Sequence, residues 1–160
     1  GERMDEVVRD AVMLGVTAIQ PLVTRRTEAT VAHLLRGARV ERWRRIALAS
    51  AKQCRRAVLP DIRTPLTLDT WLDEPLPGAR LMFVEPGAAE GVEPLARLRH
   101  ETVPDAALLL VGPEGGWDPA EVAAARSAGV RLVSLGSRTL RADAVPLAAL
   151  SILAFLWDQS

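Results

Sequence analysis

The 160-residue chain contains one cysteine, Cys54. That excludes an internal disulfide framework and a zinc site built from a cysteine cluster, and it fits a reducing compartment. Histidine is scarce as well. His33 and His100 stand in unremarkable contexts and are expected to be solvated, so no metal is expected. Long apolar runs are missing. The most apolar stretch, Val145 to Trp157, covers thirteen residues, whereas a membrane-spanning helix needs about twenty, so no membrane association is expected. The start, Gly1 to Leu14, is charged and amphipathic and does not read as a secretory leader. It opens without a methionine and enters a helix-like pattern directly, so a removed upstream segment is expected. Eleven glycines and eleven prolines are scattered and form no low-complexity tract.

What is present suits one domain with a real core. Hydrophobic residues make up 49% and charged residues 25%, as in an ordinary globular protein. The net charge of zero hides a strong asymmetry. Between Arg25 and Arg63 lie eleven basic residues and only three acids, Glu28, Glu41 and Asp61, so this stretch carries +8 and the remainder −8. Lys52 is the only lysine, and the other basic residues are arginines. Guanidinium forks match phosphate geometry and stack on bases. A solvated arginine-rich face and an RNA-phosphate footprint both remain open, and the clustering leans towards the second. Arg25, Arg26, Arg42, Arg55 and Arg56 are the candidate RNA contacts.

Met4 to Leu14 has helical spacing with Gly15 as its stop. Thr17 to Val23 reads as a short buried strand, and Thr24 to Arg36 as a mobile loop with no clear element. Arg39 to Arg56 is a long helix with an apolar stripe of Val40, Trp43, Ala47, Ser50, Ala51 and Cys54, which predicts a buried Cys54. Pro60 and Pro65 bracket an extended piece, and Thr67 to Leu72 is a short helix. Arg80 to Val84 is a strand ending in a turn at Glu85 to Gly87, and residues 88–104 look irregular or weakly helical. Ala106 to Val111 is a continuous apolar run of the kind found in central parallel strands. Asp118, Pro119 and Glu121 form a helix start with a cap, a proline at the first position and a capping box, and Gly129 stops that helix. Val130 to Leu135 is a strand, Ser137 to Asp143 a polar loop, and Val145 to Trp157 a helix apolar on all sides, which should be buried on several. Trp43, Trp71 and Trp157 are expected in the core or an interface, and Trp117 beside the pocket. Alternating strands and helices imply an α/β fold with a mostly parallel sheet, helices on both faces and no internal domain boundary.

Ligands bind beyond the carboxyl ends of strands in open parallel sheets. Two glycine-bearing loops, 112–117 and 136–144, take such positions. The first lacks the Gly-Lys-Ser/Thr of a phosphate-binding loop and the spacing of a dinucleotide fingerprint. Glu114 would repel a phosphate, so a ligand with a cationic centre suits it better.

Gly112-Pro113-Glu114-Gly115-Gly116 resembles the G-P-E-G-G motif of the knotted SPOUT-class RNA methyltransferases. Leu135-Gly136-Ser137-Arg138-Thr139-Leu140-Arg141 resembles their L-G-x-R-I-L-R motif, and Val145-Pro146-Leu147 resembles the start of their final helix. Leu14-Gly15-Val16 with Ile19 and Pro21, then Arg42-Trp43, Ala49, Gln53, Arg55-Arg56 and Pro60, are similar to the ribosomal RNA small subunit methyltransferase E family, as is Trp71-Leu72. The likeness covers nearly the whole chain. Where that family continues L-R-T-E-T-A, this chain has Leu140-Arg141-Ala142-Asp143-Ala144-Val145.

The resemblance implies a SPOUT domain over residues 1–160 with a deep trefoil knot in its C-terminal half. It implies that the family's N-terminal PUA-like RNA-binding domain is absent from this chain. S-adenosylmethionine is the implied cofactor, held by Val111, Gly112, Pro113, Gly115, Gly116, Leu135, Gly136, Leu140 and Arg141. The implied reaction is methylation of a uridine at N3 in small-subunit ribosomal RNA by a cytoplasmic homodimer. Arg141, then Arg138, are the candidate catalytic cations, and Glu114 is a candidate base, or a ligand of the ribose or of the loop backbone. Two other readings are another SPOUT enzyme, acting on a ribose 2′-hydroxyl or on transfer RNA, and a non-catalytic RNA-binding remnant.

Overall fold

The computed structural model describes residues 2–75 and 77–157; Gly1, which opens the first helical pattern, lies outside them. The elements are α1 (Glu2–Met13), β1 (Ala18–Ile19), β2 (Leu22–Val23), α2 (Val31–Arg36), α3 (Arg39–Gln53), β3 (Asp61–Ile62), β4 (Leu66–Thr67), α4 (Leu68–Leu72), β5 (Ala79–Phe83), β6 (Glu93–Pro94), a 3-10 helix (Leu95–His100), β7 (Ala107–Val111), α5 (Pro119–Ser127), β8 (Arg131–Ser134) and α6 (Ala144–Trp157). None of the described helices is long and apolar enough to cross a membrane.

Every strand pairing in the described residues is parallel. The main sheet has the order β6-β8-β5-β7. Alternation along its strands sends Met82, Leu110 and Leu132 to one face, where they meet Leu68 and Trp71 of α4 and Ala125 of α5. Leu81, Phe83 and Val133 go to the other face and meet Ala149 and Leu153 of α6 and Leu95 and Leu98 of the 3-10 helix. The mixed α/β architecture with helices on both faces is therefore as expected. A third apolar cluster joins Val8 and Val12 of α1 to Leu34 of α2, to Trp43, Ala47 and Ala51 of α3 and to Ile62 of β3.

Several details depart from the sequence pattern. The run 106–111 was expected to be a central strand, but β7 pairs only with β5 and β5 holds the middle. Its apolar character reports cover on both faces, not neighbours on both sides. The stretch Thr17 to Val23 is split at Pro21, which has no N–H to give a ladder. β1 pairs with β3 and β2 with β4, and Gln20 spans the gap by donating to Thr64 O at 2.7 Å. The supposed loop Thr24 to Arg36 contains α2, whose N-cap Thr30 accepts from the His33 N–H. Cys54 is exposed, because α3 ends at Gln53 and Cys54 becomes the capping residue beyond the buried stripe. His33 and His100 are exposed, and Trp43 and Trp71 are buried, as expected. In α6 only Pro146, Ala149 and Leu153 are buried, while Leu147, Ile152 and Phe155 are exposed, Phe155 by 78%.

Two contacts pin the sheet. Arg131, at the start of β8, donates to both oxygens of Glu101 and to Glu93 of β6. That hydrogen bond, helped by the nearby positive charge, holds the Glu101 carboxyl below its ordinary pKa of 4.5. The stabilisation is complete above that value and is lost as pH falls through the depressed one. Glu101→Gln should therefore flatten the acid limb of the stability–pH curve, as read by urea melts from about pH 3 to 7, a window that spans the carboxylate range. At the strand starts, Gly78 has φ +92°, and a Cβ there would stand 2.3 Å from Ala106 O. Left-handed backbone alone costs an alanine roughly 1–2 kcal/mol, and the clash adds to it. Gly78→Ala should lower stability by about 2 kcal/mol or more at an unchanged urea slope; an unshifted midpoint would contradict this close approach.

Candidate functional site

Because β5, β7 and β8 run parallel, their carboxyl ends share one edge, and the loops that leave Phe83, Val111 and Ser134 converge there. They enclose a cavity of 270 Å³. From the second loop, Val111, Gly112, Pro113, Glu114, Gly115 and Gly116 line it. From the third come Leu135, Arg138 and Leu140. Gly136 and Arg141 lie outside the lining. Gly136 shapes the loop through its φ of +120°, and the Arg141 side chain, 76% exposed, donates to Asp143 Oδ2 at 2.8 Å. Asp143 is thus the partner of Arg141, and the backbone carbonyl of Arg141 accepts from Ala144 and Val145 at the start of α6.

The loop after β5 was missed in the sequence. Val84, Glu85, Pro86, Ala88 and Ala89 line the cavity too. The turn at Glu85 to Gly87 was visible, and the rule that ligands sit beyond strand ends applies to β5 as much as to its neighbours. Trp117, expected beside the pocket, forms part of its wall. Its indole Nε1 donates to Phe83 O at 2.8 Å, fastening the second loop to the end of β5. Gly112 makes this possible, since a Cβ there would lie 3.0 Å from Trp117 Cε2 and 3.1 Å from its Nε1.

The helix after the second loop starts as its sequence dictates. Asp118 accepts from the Ala120 N–H at 2.9 Å, and Glu121 Oε2 from the Asp118 N–H at 3.0 Å. The other oxygen of this buried Glu121 accepts the Arg25 N–H at 2.8 Å, which ties the segment after β2 to the site. Arg26, from that segment, lines the cavity and donates through Nη1 to Gly115 O at 2.6 Å. Arg25 forms a looser pair with Asp118 at 3.4 Å. The remaining candidate RNA residues lie away from the cavity lining. Arg42 pairs with the buried Asp5 at 2.6 Å. Arg56 donates to Val12 O at 3.0 Å and Val16 O at 2.8 Å, capping the end of α1, and Arg55 is exposed at φ +57°. Glu114 forms an ion pair with Arg3 of α1.

Gly112→Ala should push the indole aside by a few tenths of an ångström and weaken its bond to Phe83 O, at a cost of about 1–3 kcal/mol for overpacking. A change in the Trp117 contribution to near-ultraviolet dichroism, with the buried Trp43 and Trp71 unaffected, together with a lower melting temperature is the expected result. An unchanged spectrum would show that the ring does not rest on Gly112.

The chain matches the RNA methyltransferase domain family over residues 1–154. Among similar proteins, the ribosomal RNA small subunit methyltransferase E of a Synechocystis strain is 35% identical over 153 residues, covering 94% of this chain and 48% of that protein. The same-named protein of Mycobacterium bovis is 36% identical over 135 residues, covering 78% of this chain and 50% of its own length. The chain therefore spans about half the length of these curated relatives. The crystal structure of a ribosomal RNA small subunit methyltransferase E from Neisseria gonorrhoeae, bound to S-adenosyl methionine, superposes with a TM-score of 0.84 at 34% identity, covering 100% of this chain and 64% of that one. A fold with parallel strands, helices on both faces and three loops gathered at one sheet edge, matched over nearly its whole length, places the chain in the RNA methyltransferase domain family.

Proposed function

We propose that the chain is the catalytic domain of an S-adenosylmethionine-dependent enzyme that methylates a uridine at N3 in small-subunit ribosomal RNA. The observation that carries this reading is the convergence of three loops on one cavity whose walls are apolar and whose charged rim includes carboxylates. Trp117, Val122, Leu135 and Val145 offer an apolar slot for a purine, and Glu85 and Glu114 face the same space. No phosphate-binding loop is present in the sequence, so a cationic adenosine derivative fits the lining better than a nucleotide does. The volume lies just under the range of about 300–1,000 Å³ usual for small-molecule sites. The backbone of Val111, Gly112, Pro113, Gly115, Gly116, Leu135 and Leu140 would hold the cofactor, with Gly136 and Arg141 shaping the third loop around it. When bound, the cofactor supplies an electrophilic methyl group on a sulfonium.

The protein's part is to align the uracil and make its N3 electron-rich. N3 carries a proton that must leave, and the resulting charge spreads to O2 and O4. A cation at the site stabilises that charge. Arg138, in the lining, is proposed to meet the substrate. Arg141, hydrogen-bonded to Asp143, is proposed to hold the turn that presents Arg138 and Leu140. Glu114 is proposed as proton acceptor or ribose ligand. For RNA binding, Arg25, Arg26 and Arg55 offer exposed guanidinium groups, while Arg42 and Arg56 add charge from hydrogen-bonded positions.

That the second and third loops line one cavity supports a trefoil knot threaded through this region, as in the SPOUT class. The bare apolar face of α6 supports a homodimer that covers it. A ribosomal substrate supports work in the cytoplasm.

Titration with S-adenosylmethionine should give a micromolar dissociation constant, roughly −8 kcal/mol. Reaction with unmodified small-subunit ribosomal RNA, read by mass mapping, should yield N3-methyluridine. A 2′-O-methyl product would replace this reading with another SPOUT activity, and absence of cofactor binding would leave an RNA-binding remnant.

A further inference from the structure

One guanidinium at the cavity has a mount of its own. Arg26 sits on a turn closed by the Thr27 N–H donating to Thr24 O at 3.1 Å and the Thr24 N–H donating to Thr27 Oγ1 at 3.2 Å. The Thr24 and Thr27 hydroxyls are themselves 2.8 Å apart and hydrogen-bonded. The turn is bolted to α5 through the Arg25 N–H and the buried Glu121 carboxylate at 2.8 Å. From this base the Arg26 side chain crosses the double glycine. A Cβ on Gly115 would stand 3.4 Å from Arg26 Cβ and 3.5 Å from its Cδ, and one on Gly116 would stand 3.9 Å from Nη1. Nη1 donates to Gly115 O at 2.6 Å. Among the described residues this is the only hydrogen bond of the Arg26 side chain, and no carboxylate pairs with it. A guanidinium has five N–H donors, so most of its donors have no protein acceptor, in a side chain that lines the cavity.

The other arginines nearby differ. Arg25 and Arg141 are paired with Asp118 and Asp143. Arg138 lines the cavity but has no hydrogen bond to hold it among the described residues. Charge stabilisation is strongest from a group that is already in place and needs no reorganisation. Arg26 meets that condition, and Arg138 does not.

We infer that Arg26 is a catalytic residue of the methyl transfer proposed above, the cation that holds the uracil's negative charge as N3 is deprotonated; the inference rests on that reading. The N3 proton passes to the acceptor proposed above, the Glu114 carboxylate in the cavity lining, and from it to water. N3 then forms its bond to the methyl carbon with its own electron pair, while the carbon–sulfur bond breaks and its pair stays on sulfur, which ends neutral. Arg26 donates to the uracil oxygen beside N3, where the charge collects before the new bond forms. Gly115 is, on this account, the seat of the arginine stem and Gly116 lies beside its guanidinium, and both are part of the cavity wall.

The test compares the wild-type chain with Arg26→Ala and Arg26→Lys. S-adenosylmethionine affinity is measured by calorimetry, and single-turnover methyl transfer to unmodified small-subunit ribosomal RNA is followed across pH. Arg26→Ala is expected to lose about 10²–10³ in rate, the usual cost of removing one preorganised donor. Its cofactor dissociation constant should stay within about threefold of wild type, because the loss belongs to the reacting state alone. The deficit should narrow as pH rises and hydroxide deprotonates N3 unaided. Arg26→Lys keeps the stem over the glycines and the charge but not the fork, and should recover part of the rate. A rate within about fivefold of wild type, a deficit that tracks weakened cofactor binding, or a deficit independent of pH would each overturn the assignment. If Arg26→Ala fails to fold by thermal melt, Arg26→Lys decides by the same pH and affinity criteria. If the wild-type chain itself binds no cofactor, the functional reading fails and takes this inference with it, an outcome visible before any variant is measured.

Discussion

Parallel pairing of Ala79–Phe83 with both Ala107–Val111 and Arg131–Ser134 is the constraint from which the rest follows. Strands that run the same way end at the same edge, so the segments leaving Phe83, Val111 and Ser134 have to share one space. Each must then turn away sharply without filling it. Gly112 leaves room for the Trp117 ring, and Gly116 at φ +69° lets the second loop fold back, with its N–H on Pro113 O at 2.9 Å. The cavity is the volume left between turns that cannot pack more closely, and its apolar walls are the inward faces of residues that also belong to the two sheet cores.

Local chemistry was legible in the sequence wherever one residue type suffices to decide it. Asp118 and Glu121 announce a capping box, and the structure has both of its bonds. The glycine loops at 112–117 and 136–144 were visible because glycine relaxes the backbone whatever surrounds it. Neighbour relations were less legible. An apolar run such as Ala107–Val111 records that both faces are covered, and says nothing about which strands stand on either side. The two-residue strand Glu93–Pro94 has too little length to carry a period. Cys54 fell on the extrapolated stripe of α3, but a helix that stops one residue earlier turns that position outward. Among the site residues, the loop after β5 escaped notice because it has no conspicuous motif, and Arg26 was read as one charge among many because its bond to Gly115 spans most of the chain.

The cationic stretch resolves into different uses once its partners are known. Arg42 answers the buried Asp5, and Arg56 satisfies carbonyls at the end of α1, where a helix leaves acceptors without partners. These groups support α1 against α3. Arg26 instead reaches the cavity, and Arg55 stays in solvent. A charge count over residues 25–63 therefore overstates what is open to a phosphate, and the segment is better seen as a scaffold with a smaller number of free forks.

The all-parallel topology also bears on how the chain reaches this state. Among the described residues, no two paired strands are joined by a hairpin. Ala18 meets Asp61, and Leu81 meets Arg131, across long intervening segments. Such non-local closures carry their entropic cost before any sheet contact rewards them, which slows folding. β7 can pair with β5 before β8 is made, but its Leu109 and Val111 pack on the cluster that α6, the last element, completes, so nascent chains of this protein leave that face open until the C-terminal helix arrives, an interval in which chaperone capture competes with self-association.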